Sequence, residues 1–235
     1  PVNESIWGLL IVLFIVMVVV SQFMLTFGSD PNAKVTKKSK SPLSFHPIAL
    51  IFGLLSFVSY LVEGAVGDWS ALYLFEDKGI VIEEAVMGVM LFNGTMCIGR
   101  LLGNRLGKHL TSKQVVVGGY LLGSIAMGLI VFLPGHASMY TYLLLGISLA
   151  MIVPNLFSAM GEQNVIPMTQ AVATSTMLGY MGILMGPALI GFIAHGTSLT
   201  VAFIVLTTLL VVSAGIGKYA YHLMSKDCGL SEEQI

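Results

Sequence analysis

The chain has 235 residues, of which 56% are hydrophobic and only 10% charged, with a formal net charge of −1 and a mean hydropathy of +0.89. A soluble domain carries about 25% charged residues, so this composition excludes a water-solvated globule and points to lipid as the solvent. The two cysteines, Cys97 and Cys228, offer neither a disulfide framework nor metal-ligand spacing.

A helix needs about 20 apolar residues to cross a hydrocarbon core of about 30 Å. Seven segments qualify, near 6–28, 47–74, 85–106, 114–134, 138–160, 170–194 and 197–222. The first is too long for a signal-peptide core of about 7–15 residues and has no basic flank, so it reads as a true span. Gly, Pro and polar residues punctuate the breaks, as in Gly28-Ser-Asp-Pro31, Glu76-Asp-Lys-Gly79, Pro134-Gly-His136, Gly161-Glu-Gln-Asn164 and His195-Gly-Thr197. Barrel strands would be short and would alternate apolar with polar residues; these runs are long and apolar all round. The expected fold class is therefore an all-α polytopic membrane protein with seven transmembrane helices. Its abundant glycine (26 residues) suits close helix packing in a bilayer.

Basic residues set the expected orientation. Lys34, Lys37, Lys38 and Lys40 follow the first span, Arg100, Arg105, Lys108 and Lys113 surround the end of the third, and Lys218 and Lys226 close the last. All fall on one side, whereas the opposite side has Lys78 among Glu76, Asp77, Glu83 and Glu84. The C-terminus is thus expected in the cytoplasm and Pro1 outside, in a multi-pass protein of the plasma membrane, bacterial inner membrane in the first instance. An odd number of spans, an external start and no initiator Met suggest an absent upstream region. On that reading residues 1–28 end an otherwise missing N-terminal half, 29–45 are a basic cytoplasmic linker, 46–224 form a C-terminal six-helix bundle, and 225–235 are a cytoplasmic tail.

An ionisable group within the bilayer costs about 2.5–3.5 kcal/mol at a helix centre on insertion scales, which makes it a functional candidate. Glu63 is the deepest, about two-thirds of the way across the second span, with Tyr60, Ser59 and Ser56 before it on the same face as a polar stripe. It reads either as a proton or substrate site in a watery cavity or as interhelical glue. Asp68, one turn later, is a candidate ligand for an external hydroxyl or a cap for the stretch from Trp69, and Trp69 and Tyr73 suit an interfacial aromatic belt. In the third span Asn93 and Arg100 lie seven residues apart on one face, and Arg100 is close enough to the cytoplasmic edge to snorkel. The fifth span carries Ser148 and Asn155 on one face, with Pro154 expected to loosen the backbone. Asn155 reads as cavity-facing or as an interhelical bond.

Two glycine-rich stretches complete the candidates. Gly99-Arg-Leu-Leu-Gly-Asn-Arg-Leu-Gly-Lys-His109 is a cation-studded turn whose Gly99, Arg100, Gly103, Asn104, Arg105, Gly107 and Lys108 could latch a cytoplasmic gate. Gly179-Tyr-Met-Gly-Ile-Leu-Met-Gly-Pro-Ala-Leu-Ile-Gly191 places Gly179, Gly182 and Gly186 on a small-residue face with Pro187 as a kink, for packing or bending against a neighbouring helix. Tyr180 is a further candidate for the cavity.

These stretches resemble the major facilitator superfamily. Gly99 to His109 is similar to its loop motif Gly-x-x-x-Asp-Arg-x-Gly-Arg/Lys-Arg/Lys, and Gly179 to Gly191 resembles its Gly-x-x-x-Gly-Pro helix motif. The segment Glu63 to Leu74 resembles the seventh helix of fucose-permease-like bacterial members. The seven spans then correspond to the sixth to twelfth helices of the family. Two departures stand out: Asn104 replaces the motif's Asp, and the leading glycine is shifted to Gly99. A neutral Asn cannot serve as the charged partner of a gating network.

The resemblance implies rocking of two six-helix halves around a midplane site, with Glu63 as the carboxylate that couples a proton to a small, sugar-like polar solute. The implied partners are that solute, protons, the lipid bilayer and the missing half of the transporter, without nucleic acid. No cofactor or metal is expected, and the absence of a Gly-x-x-x-x-Gly-Lys-Ser/Thr motif disfavours ATP drive. An exporter of amphipathic compounds and a truncated, non-transporting membrane module are the alternatives. An enzyme is not expected, since no paired Asp, Ser–His or His-metal constellation lies at common depth.

Overall fold

The computed structural model describes residues 46–106, 110–163 and 165–228, together with Val18 and Leu43; the side chains of residues 104–106, 227 and 228 are outside that description. The expected first span other than Val18, the 29–45 linker other than Leu43, Gly107, Lys108 and the tail beyond residue 228 lie outside the described residues. Internal contacts divide the chain into two units, Pro1–Lys40 and Ser41–Ile235, and every helix below belongs to the second.

The described residues form α1 (Pro47–Glu76), α2 (Ile82–Leu106), α3 (Ser112–Phe132), α4 (Gly135–Ala150), α5 (Ile152–Glu162), α6 (Met168–Gly196) and α7 (Leu199–Cys228). Taking α4 and α5 as one crossing, six segments are long and apolar enough to span a membrane: Pro47–Glu76, Ile82–Gly103, Ser112–Phe132, Gly135–Glu162, Met168–Gly196 and Leu199–Lys226.

Local chemistry sets several boundaries. At the start of α1, His46 Nδ1 accepts from the Ile48 N–H at 3.3 Å and Pro47 occupies a first-turn position that needs no donor. Its end is closed by Gly79, whose φ of 69° suits a residue without a Cβ, while Ile80 N–H returns to Leu74 O at 3.0 Å. Thr111 and Gln114 form a reciprocal capping box at the start of α3. The fifth expected span is interrupted at Met151. Pro154 has no N–H for Ala150 O, so the ladder opens there, and Asn155 donates to Met151 O from its backbone (3.2 Å) and its side chain (2.8 Å).

Helix pairs α1–α6, α2–α4 and α3–α7 make the most extensive contacts. Lipid supplies no hydrophobic drive for these pairings, so close van der Waals approach has to stabilise them. In α1–α6, Gly182 lies against Phe57 O and Gly186 against Leu61 O, and a Cβ built on Gly64 would stand 2.8 Å from Ile183 O. The α2–α4 pair uses the same device: a Cβ on Gly99 would meet Ala150 at 2.6 Å, Gly103 lies under Met151, and Gly146 lies under Phe92 and Thr95. Aromatic rings fill the remaining core, with Tyr73 stacked on Phe203 at 4.2 Å and Phe52 edge-on to Tyr221 at 5.5 Å.

The end of the bundle that carries the α1–α2 turn is fastened by polar contacts. Lys78 Nζ donates to Val131 O, among the last carbonyls of α3, at 2.6 Å, and stands 5.3 Å from the Tyr73 ring centre. Burial lowers the Lys78 ammonium from its ordinary pKa, with Asp77 opposing. Thr200 Oγ1 donates to Asp77 Oδ2 at 2.6 Å, and His136 Nε2 meets Glu84 Oε2 at 2.7 Å.

Glycines differ sharply in what they allow. Gly182→Ala would force α1 and α6 apart, and destabilisation of roughly 1–3 kcal/mol is expected from overpacking. At Gly215 in α7 a Cβ meets nothing within 4 Å, so Gly215→Ala is expected to be neutral or to stabilise by up to about 1 kcal/mol. Detergent unfolding midpoints of the two variants check the contrast.

Candidate functional site

Glu63 sits sixteen residues after Pro47, about 24 Å along α1 at 1.5 Å per residue, near the middle of the helix. Its Oε2 meets Arg100 Nη2 of α2 at 3.2 Å. The sequence reading expected Arg100 to snorkel toward the membrane edge; the structure turns it inward to the carboxylate. Helix geometry favours this, because side chains lean toward the N-terminus of their own helix. With α1 and α2 antiparallel, Glu63 and Arg100 lean toward each other across the seam. Their side chains are 22% and 44% exposed, so the pair is partly open and is not sealed in the core.

Tyr60, one turn before Glu63, stacks on Tyr180 of α6 with ring centres 6.0 Å apart and planes 7° from parallel. Gly179 makes this possible: a Cβ there would stand 2.7 Å from the Tyr60 ring. Three helices thus contribute to one polar and aromatic face, α1 through Tyr60 and Glu63, α2 through Arg100, and α6 through Tyr180. Asn93 is exposed on the face of α2 that carries Arg100, about 10.5 Å along the helix, with its amide donating to Val89 O at 3.0 Å.

The other sequence candidates go elsewhere. Asp68 is exposed and lies off the Glu63 face, since five residues turn a helix by about 500°. Asn155 binds α3 through Ser112 Oγ at 3.4 Å and its own Met151 carbonyl; it braces the break before α5. Ser56 and Ser59 do not extend the Glu63 face either. Both are buried: the Ser56 and Ser175 hydroxyls meet at 2.9 Å, and Ser59 meets the Tyr120 hydroxyl at 2.8 Å, which donates to Leu55 O at 2.7 Å. The expected stripe is therefore split by depth into a sealed part and an open part. Of the expected loop latch, Gly99 and Gly103 are buried α2–α4 contacts, and the side chains of Asn104 and Arg105 lie outside the described residues, as do Gly107 and Lys108.

Pro187 forms a composite joint with α1. Lacking an N–H, it leaves Ile183 O without its helical donor, and that oxygen is the atom lying over Gly64. Trp69 Nε1 donates to Pro187 O at 2.9 Å, and Gly191 leaves room for the Trp69 ring. Trp69, expected as a belt aromatic, instead holds α1 to the proline turn of α6. The opposite charges of Glu63 and Arg100 within two apolar spans were the sequence signal for their pairing, because ions in a bilayer tend to take one another as partners. No sequence signal identified the Trp69 contact.

Among the described residues, no group of three or more His, Cys, Asp or Glu side chains is placed to hold a metal ion. The arrangement can hold and release one charge pair, with hydroxyl-bearing rings beside it.

No family model matches the chain. An uncharacterized major-facilitator-type transporter of Yersinia pestis is 35% identical over 215 residues, 89% of this chain and 54% of its own length. The chain belongs to the major facilitator superfamily. Membrane protein MosC of Rhizobium meliloti is 30% identical over 170 residues, 71% of this chain and 42% of that protein. The chain spans about half the length of the curated relatives it matches. Among solved structures, the E. coli fucose:proton symporter FucP aligns with a TM-score of 0.65 at 16% identity, covering 74% of this chain and 42% of that one. At that identity the likeness is one of fold.

Two measurements follow from the geometry. A double-mutant cycle on Glu63→Gln and Arg100→Gln should show non-additive unfolding midpoints, with a coupling of about 0.5–1 kcal/mol because the pair is partly exposed; strict additivity would mean that the ion pair does not form. Trp69→Phe keeps the ring but removes the N–H, and should destabilise by roughly 0.5–1.5 kcal/mol in the same assay.

Proposed function

We propose that the chain supplies one six-helix half of a proton-coupled secondary transporter for a small, sugar-like polar solute, working by alternating access. The Glu63–Arg100 pair at 3.2 Å, partly exposed and near the middle of α1, carries this reading. A carboxylate and a guanidinium are costly to hold apart in a low-dielectric site. While Glu63 is ionised it engages Arg100. When a proton reaches the carboxylate the pair is discharged, and Arg100 is left with donors to offer a solute hydroxyl. Proton occupancy and solute binding are then linked through one side-chain contact, as symport requires.

The stacked Tyr60 and Tyr180 rings beside the pair support the solute class. Flat aromatic faces suit the C–H face of a sugar ring, and their hydroxyls with Asn93 offer polar partners at its edge. The proline joint at Pro187, clamped by Trp69, supports α1 and α6 moving together when the half rocks. The names of the relatives agree with transport: the Yersinia protein is called a transporter and FucP a fucose:proton symporter. Orientation follows from the basic residues, with the Arg105–Lys113 side and the C-terminus in the cytoplasm of a bacterial inner membrane. An exporter of amphipathic compounds is the weaker reading, since the face is marked by an ion pair.

Proteoliposomes carrying the full-length transporter, a panel of radiolabelled monosaccharides and an imposed proton gradient provide the test. The wild type should accumulate a responding sugar above equilibrium, whereas Glu63→Gln should lose accumulation but retain counterflow exchange. Undiminished gradient-driven accumulation in Glu63→Gln would remove Glu63 from coupling.

A further inference from the structure

A cavity of about 640 Å³ lies along the seam between α3 and α7, at the end of the bundle away from the α1–α2 turn, and both Lys113 of α3 and Lys218 of α7 line it. Each lysine stands nineteen residues from the far end of its helix, at Phe132 and Leu199, about 28 Å at 1.5 Å per residue. A hydrocarbon core is about 30 Å thick, so two cations from two helices stand at one level, the edge of the bilayer. Gly217 keeps the helices close there: a Cβ on it would lie 3.6 Å from Val117 and 3.7 Å from Val116. No Asp or Glu is among the described residues that line the cavity.

The rest of the mouth is rich in donors. In the capping box Gln114 Oε1 accepts from the Thr111 N–H at 3.0 Å, and Thr111 Oγ1 accepts from the Gln114 N–H at 3.3 Å. Those oxygens are thereby engaged, and the Thr111 O–H and the Gln114 amide N–H groups are what the pair has left to offer. Beyond the mouth the wall turns apolar, with partly buried Val117 and exposed Leu121. Gly118 widens it, since a Cβ there would meet nothing within 4 Å. Gln114 and Gly118 also border a second cavity of about 340 Å³, walled by Leu110, Leu122 and Ile147.

We infer that the α3–α7 cavity binds an anionic glycerophospholipid, its phosphate held by Lys113 and Lys218 and its acyl chains laid along Val117 and Leu121 and into the adjoining cavity. Charge complementarity selects this occupant. Two cations with further donors beside them suit an anion, and basic pockets between spans at the bilayer edge suit anionic headgroups. The apolar furrow that begins beside the cations suits a chain attached to that anion. A soluble phosphate would satisfy the mouth and leave the furrow empty, and a neutral lipid would do the reverse. The inference is independent of the transport reading, since the site belongs to α3 and α7 whereas Glu63, Arg100 and Tyr180 lie on α1, α2 and α6.

Native mass spectrometry of the delipidated full-length transporter, titrated with phosphatidylglycerol, tests it. The wild type should retain phosphatidylglycerol in preference to phosphatidylcholine of the same chains. Lys113→Gln combined with Lys218→Gln should weaken retention by roughly 30-fold, at about fivefold per lysine. Lys226→Gln, which alters an exposed lysine of α7 outside the cavity, should leave it unchanged. Gly118→Leu fills the furrow with both lysines in place and should also weaken retention; leucine is the better helix former, so that loss is not one of folding. Equal retention of the two headgroups, or a loss with Lys226→Gln as large as with the cavity lysines, would overturn the site. Displacement of the lipid by inorganic phosphate would overturn it as well, by showing an anion site to which the chains contribute nothing.

Discussion

The backbone-to-backbone approach of α1 and α6 is the constraint on which the rest of this bundle depends. Gly182 and Gly186 lie directly on the carbonyls of Phe57 and Leu61, and Gly64 lies under Ile183 O. In a bilayer no hydrophobic gain draws two apolar helices together, so contact has to come from surfaces that fit. Glycines remove the side chains that would intervene. Once the helices touch, other features follow: Tyr60 reaches Tyr180 across the Gly179 gap, Trp69 reaches the Pro187 carbonyl, and the oxygen freed by Pro187 is covered by a Cα and kept from lipid.

The polar residues of this oily chain follow a second rule, that of compensation. Ser56 and Ser175 are sealed and bonded to each other, Ser59 is sealed against the Tyr120 hydroxyl, Thr95 and Thr207 return their hydroxyls to carbonyls of their own helix, and Lys78 satisfies the end of α3. Against that background Glu63 and Arg100 differ. They are ionisable groups of opposite type, they pair between helices, and they remain partly exposed. Holding charges in that setting costs stability, which is why a role beyond packing is assigned to this pair and not to the serines.

The fold brings Tyr60 and Glu63 of α1, Arg100 of α2 and Tyr180 of α6 onto one face. The break between α4 and α5 belongs to the same logic. Irregular backbone within membrane depth persists where neighbouring groups re-satisfy it, and Asn155 does so for Met151 while tying α5 to Ser112 of α3.

Class and spans were legible in the sequence. Hydrocarbon thickness and the cost of unpaired backbone groups leave little choice for long apolar runs, and each of the six expected spans within the described residues coincides closely with a helical crossing. The small-residue face of the 179–191 stretch and the depth of Glu63 could also be read, because helical periodicity is a local property. The partners could not. Periodicity assigns a residue to a face, but which helix covers that face, and at what depth, arises from contacts between residues far apart in the chain. Packing therefore decided that Arg100 turns to Glu63, that Ser56 and Ser59 are sealed while Tyr60 is not, and that Trp69 holds the proline turn. It also decided that Asn155 braces a helix break away from the Glu63–Arg100 pair. The sequence by itself determined a membrane-embedded helical chain with a charge at mid-depth, and the tertiary structure alone chose what that charge meets, because only packed neighbours define a dielectric and a partner.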